Sequence, residues 1–218
     1  MNWMNELTAE FEKTFIRDDR YKVFVTGFKN TILITLVSLC VGLIAGILIA
    51  IARYGFRQMK RKAAVTWYAK LWYAICWVAD KILALYVAVV RGVPLVVQLL
   101  IMAFVVMAGF PNKIVVCCIA MGLNSAAYVS EVVRGGINAV DVGQMEAGRS
   151  LGLSTATTIF FIILPQAFKS ALPALCNEGI AVLKETSIVG YIAVVDLTRA
   201  SDLVRSRTMA PMMPLFFI

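Results

Sequence analysis

Apolar and polar positions fall in long blocks along this chain, not at the short alternations of a soluble fold. Residues 31–52, TILITLVSLCVGLIAGILIAIA, carry no charge. About 20 apolar residues rising about 1.5 Å each cover a bilayer core of roughly 30 Å, so this block predicts a first membrane-spanning helix. Gly42 and Gly46 form a GxxxG within it, the spacing that lets two helices approach closely. Residues 67–81 are aromatic and hold Asp80 and Lys81, which suits headgroup depth. From Ile82 the chain enters the membrane again and continues through RGVPLVVQLLIMAFVVMAGF. Phe110-Pro111-Asn112 reads as a turn. Residues 114–133 predict a third span, polar at Asn124, Ser125, Tyr128 and Glu131, with Arg134, Gly135 and Gly136 as its stop. A fourth span is expected from Ala167 into the 180s. The last apolar run, MAPMMPLFFI, is too short to cross, and a complete fifth helix is expected to need residues beyond Ile218. The fold class is therefore all-α and polytopic, with about five transmembrane helices, the last incomplete.

Composition supports this pattern. The 218 residues are 61% hydrophobic and 16% charged, against about half and about a quarter in soluble domains. The net charge of +8 does not point to nucleic acid, because many basic residues sit beside apolar runs. Arg53, Arg57, Lys60, Arg61 and Lys62 follow the first span directly. By the positive-inside tendency this end is cytoplasmic, which makes the N-terminus extracytoplasmic. Ahead of the first span, residues 1–23 place Leu7, Phe11 and Phe15 on one helical face, either an amphipathic helix resting on the membrane or a solvated leader. They lack the basic start and apolar core of a secretory signal. Residues 24–218 then form one transmembrane domain, with 53–81 a basic cytoplasmic or interfacial insertion.

Candidate chemistry is sparse. The five cysteines lie in or next to apolar runs without CxxC spacing, and there is no histidine, so no zinc site is expected. No GxxxxGK[ST] occurs, so the chain has no loop to cradle the phosphates of ATP. Three features stand out. Arg91 and Pro94 interrupt an apolar run, so 91–98, with Gln98, either borders a pathway or marks a kinked structural helix with Arg91 snorkelling or paired. The fourth span contains Asn177, Glu178, Lys184 and Glu185, followed by Ser187. Ionisable groups at membrane depth face a cavity or each other. The third is a polar segment at 135–154, which crossing counts place in the cytoplasm. Glu146 to Leu151 suit a short helix, Gly152 a tight turn, and Ser154 the cap of a following helix. Such a helix–turn–helix would expose Glu146 and Arg149 and bury Leu151 and Leu153, as a docking element or a plain connector.

The register of this segment resembles the EAA loop of ABC importer permeases: Glu-Ala-Ala, three residues, Gly, nine residues, then Ile-x-Leu-Pro. Glu146, Ala147, Gly152, Ile162, Leu164 and Pro165 fall in place. Gly148 stands where the pattern has alanine, which is expected to loosen the short helix. RGVPLVVQL, AAYVSEVVRGGI, ILPQAFKSALPAL and LKETSIVGYIAVVDLTRAS are similar to the polar amino-acid uptake branch, from about Thr26 onward.

The resemblance implies a type I importer fold in a bacterial inner membrane. It implies no catalytic site in this chain, with ATP and Mg bound on a dimer of partner subunits. An extracytoplasmic solute-binding protein and a second permease, either another copy or a sister chain, would complete the assembly. The coupling loop would use Glu146, Ala147, Gly148, Gly152 and Leu153. Residues 195–207 would face the binding protein. The substrate pathway would draw on Asn177, Glu178, Lys184, Glu185, Ser187, Arg91 and Gln98, and its carboxylates suit a basic amino acid. A self-contained ion-coupled carrier or channel is the alternative, and would transport without partners. A membrane-embedded enzyme lacks both histidine and a recognisable motif.

Overall fold

A computed structural model describes residues 2–60, 67–210 and 212–218. Of the basic cluster after the first span, Arg61 and Lys62 lie outside the described residues. Helices α1 (Asn2–Phe11), α2 (Tyr21–Lys60), α3 (Trp67–Gly92), α4 (Leu95–Ile101), α5 (Lys113–Asn138), α6 (Val142–Ser150), α7 (Thr155–Thr158), α8 (Leu164–Glu185) and α9 (Leu197–Thr208) follow in order. Among the described residues, four segments are long and apolar enough to cross a membrane: Tyr21–Arg57, Trp67–Gly92, Lys113–Asn138 and Thr155–Ile192. On α2, Phe28, Leu36, Ile44 and Leu48 are exposed while Ile34, Ser38 and Ala50 are buried. An apolar outward face is costly in water but not in lipid, whose tails are as apolar as leucine.

The helices run further than the apolar blocks. α2 begins at Tyr21 and continues through Arg53 to Lys60. α3 is unbroken from Trp67, because no glycine or proline occurs before Gly92. The expected break falls at Val93-Pro94, between α3 and α4. Gly135 and Gly136 do not stop α5, which ends at Asn138. A Cβ on Gly136 would lie 2.5 Å from the Ala167 carbonyl oxygen, so this glycine permits close packing on α8. Nor does Pro165 end a helix. It has no N–H to give the carbonyl four residues back. A π-helical turn, Ile159–Ile163, precedes it, and there the Leu164 N–H bonds the Ile159 carbonyl.

Two compact units make up the chain. One comprises Met1–Val37, Val96–Ala120 and Val182–Ile218. In it Phe24, Ala200 and Val204 are buried, with Phe15, Val23, Val195 and Leu197 packed around them. Phe15 stacks 5.0 Å from Phe24, centroid to centroid, so the last aromatic of the N-terminal periodic face belongs to a core. Leu7 and Phe11 stay exposed. Asp196 caps α9, accepting from the N–H groups of Thr198 and Arg199 at 3.0 Å each. Burial pushes its carboxyl above the ordinary range, and those N–H groups oppose the rise. The Asn30 amide donates to the Val195 carbonyl at 2.8 Å, tying α2 to the start of α9.

The other unit comprises Ser38–Leu95 and Met121–Ala181. Its core joins Ala50, Val129, Val133, Ile137, Ile163, Ala167, Ala171 and Leu175. The GxxxG pair notches α2 onto α5: a Cβ on Gly42 would sit 2.5 Å from Ser125 Oγ, and one on Gly46 2.6 Å from Val129 Cβ. Gly46→Ala is therefore expected to destabilise by about 1–3 kcal/mol through overpacking. Gly55→Ala, in the same helix with nothing within 4 Å, is expected to be neutral or to stabilise by up to about 1 kcal/mol. Thermal unfolding of both variants in detergent checks the contrast. Equal melting temperatures would remove the close-packing role.

Candidate coupling elbow and ionic cluster

Local signals build the elbow between α6 and α7. Asp141 caps α6 by accepting from the Gly143 N–H at 2.6 Å. At the other end Gly152 takes φ +80. The Leu153 N–H bonds the Gly148 carbonyl at 3.1 Å and the Gly152 N–H bonds that of Arg149 at 3.1 Å. This six-to-one and five-to-two pair is a Schellman ending, which needs a left-handed residue at the turn. Ser154 then caps α7, its Oγ accepting from the Thr157 N–H at 3.0 Å. Arg149 Nη1 donates to the Leu153 carbonyl at 2.6 Å and closes the loop on itself. Glu146 and Ala147 are exposed, and Leu153 is half-buried.

Two details differ from expectation. Gly148 does not loosen α6; it is buried, and a Cβ there would lie 2.6 Å from Thr158 Cγ2. The inner side of the elbow is so tight that it admits only small groups. Leu151 is accordingly left outside, 80% exposed, instead of buried. Gly148→Ala should cost about 1–3 kcal/mol by overpacking, offset by about 1 kcal/mol of helix propensity. Thr158→Ser, which removes the nearer methyl but keeps the hydroxyl oxygen 2.8 Å from that Cβ, should recover part of the loss in the double variant. A fully stable Gly148→Ala in thermal unfolding would contradict this packing.

An ionic cluster occupies the same unit. Arg53, with its side chain 10% exposed, donates from Nε to Asp80 at 3.2 Å and from Nη1 to Glu131 at 3.3 Å. Arg57 lies 3.7 Å from Asp80, and Arg91 lies 3.8 Å from Glu131. Arg134 Nε donates to Glu131 at 2.9 Å. Arg91 also lies over the Tyr128 ring, 5.2 Å from its centroid. Asp80 and Glu131 were visible as carboxylates within apolar runs, and such groups pair. Their common partner, Arg53, was not, because it lies 27 and 78 residues away in sequence.

The other pathway residues take separate surroundings. Glu178 is half-buried on α8 and accepts from Ser125 Oγ at 2.8 Å. Among the described ion pairs none involves it. Asn177 and Lys184 are exposed, and Glu185 is half-buried at the end of α8. Gln98 is half-buried on α4. Ser187 is exposed and lines a cavity of about 320 Å³ with Gly190, Tyr191, Thr198, Arg199 and Asp202. Arg91 and Glu178 thus engage different partners. The described residues include no group of three or more Cys, Asp or Glu side chains placed to hold a metal ion.

Membrane-length apolar helices and a capped, outward-facing elbow between two of them define a polytopic helical membrane protein. Comparison places it further. Residues 73–218 match the family described as binding-protein-dependent transport system inner membrane component. The arginine transport system permease protein ArtQ of Bacillus subtilis is 38% identical over 79% of this chain and 72% of its own length. The glutamine transport system permease protein GlnP of Escherichia coli is 31% identical over 81% and 74%. A crystal structure of an amino acid ABC transporter with histidines superposes with a TM-score of 0.73 at 33% identity, covering 90% of this chain and 84% of that one. The methionine transporter MetNI, in an inward-facing form, shares the fold, with a TM-score of 0.70 at 17% identity over 91% and 87%. The chain belongs to the binding-protein-dependent inner membrane component family, the multi-pass permease subunits of ABC importers. Such subunits are not themselves catalytic and work with ATP-binding subunits and a substrate-binding protein.

Proposed function

We propose that this permease moves a polar, basic amino acid inward by alternating access, driven through the α6–α7 elbow by a dimer of ATPase subunits that carry the ATP and Mg. The observation that carries the coupling role is the elbow itself. It is rigidly capped at both helices, yet presents Glu146, Arg149 and an exposed Leu151 outward. A leucine flanked by a carboxylate and a guanidinium suits insertion into a groove of another protein. The elbow then lies in the cytoplasm and the N-terminus outside. A second permease, another copy or a sister chain, completes the pathway, and a solute-binding protein delivers the substrate at the outer face.

The basic substrate rests on Glu178. Its described partner is a neutral hydroxyl, so no described cation balances this carboxyl group, which suits a cationic ligand. The arginine permease among the relatives supports this reading, while the glutamine permease marks the neutral alternative. Affinity purification of the assembled complex, followed by ATPase assays over the twenty amino acids, tests both parts. Co-purified ATPase subunits and stimulation by arginine, lysine or histidine are expected. Absence of any ATPase would overturn the coupling role, and stimulation by neutral amino acids alone would overturn the basic substrate.

A further inference from the structure

The ionic cluster holds more positive charge than it uses. Four guanidinium groups, Arg53, Arg57, Arg91 and Arg134, share two carboxylates, Asp80 and Glu131. Two positive charges remain in excess. Three of those arginines open onto one cavity of about 170 Å³, lined also by Tyr54, Ser130 and Asn138. Guanidinium forks, the Tyr54 hydroxyl and the Asn138 amide make a donor-rich lining, the Ser130 hydroxyl donating to the Ala127 carbonyl, and such a set matches the oxygens of a phosphate group. We propose that this cavity is a binding site for the phosphate of an anionic phospholipid headgroup.

A second cavity argues for a lipid over free phosphate. It measures about 280 Å³ and shares Tyr54 and Asn138 with the first, and its other lining side chains are mostly apolar: Ile137, Val140, Val142, Met145 and Ile163. Asp141 also lines it, with its carboxylate engaged in capping α6. A basic chamber beside an apolar one suits a headgroup with the start of an acyl chain. Arg57 is the open side of the basic chamber, its side chain 52% exposed. Basic pockets between membrane helices are known to hold anionic headgroups. The site joins the far end of α2 to the end of α5, three residues before α6 starts, so its occupant braces the elbow.

Native mass spectrometry of the purified chain, titrated in parallel with phosphatidylglycerol, phosphatidylcholine and inorganic phosphate, tests the site. Arg57→Gln is the diagnostic variant, because Arg53 is needed for the buried pairs whereas Arg57 is half-exposed. Preferential retention of phosphatidylglycerol is expected, weakened about fivefold by Arg57→Gln. Arg207→Gln, the same charge change at an exposed position on α9, should leave retention unchanged. Equal retention of the two lipids, or equal loss in both variants, would overturn the proposal. So would inorganic phosphate binding at the site without any preference for the anionic lipid.

Discussion

Glu146→Lys is expected to leave the permease folded in the membrane while abolishing substrate-stimulated ATP hydrolysis by the assembled complex. Glu146 is exposed on α6, and no described hydrogen bond or ion pair uses its carboxylate. Its replacement therefore removes no described contact within the chain. At a docking surface, however, charge reversal places like charges together and costs several kcal/mol. At about 1.4 kcal/mol per tenfold, coupled hydrolysis and transport fall by about a hundredfold or more. Gly152→Val should act at the same step by another route. No atom lies within 4 Å of the position where its Cβ would be, so the damage is conformational: φ +80 is unfavourable for a β-branched residue. The measurements are membrane yield, thermal unfolding and coupled ATPase activity in one preparation. Loss of insertion in Glu146→Lys would show that the elbow serves folding instead of coupling.

Arg53→Met should unfold the permease or lower its stability by about 3–5 kcal/mol, the usual cost of removing one partner from a buried charge pair. Arg53 is buried between Asp80 and Glu131, and its loss leaves both carboxylates with their deepest cation missing. Replacing Arg53 and Asp80 together by methionine and leucine should recover much of the loss, since an apolar pair of similar volume is often neutral or better. Thermal unfolding in detergent checks the pair of variants. A single variant within about 1 kcal/mol of the parent would mean that the cluster contributes specificity alone.

The helices and the elbow were legible because their signals are local. An uncharged run of membrane length announces α2, and Gly152 and Ser154 each set a turn or cap within three residues of themselves. The glycine pair of α2 was legible as a notch but not as to its partner, Ser125 and Val129 on α5. Gly136 shows the limit most clearly. From sequence it is a helix stop; in the fold it is a contact surface, and only the position of Ala167 distinguishes the two. Leu151 misled for a similar reason, because its burial depended on room beneath α6 that Gly148 and Thr158 had already closed. The Arg53 cluster was illegible as a unit, since three helices assemble it.

The π-helical turn at Ile159–Ile163 has a consequence for chain length. It inserts one surplus residue between two stretches of helix, and one residue corresponds to about 100° of rotation about the axis. Gly148 meets Thr158 before the turn, and Glu178 meets Ser125 after it. The angular phase between the elbow and the Glu178 carboxylate is thus fixed by a residue count. A one-residue change in this turn would redirect one end against the other, even where every substituted side chain kept its chemistry.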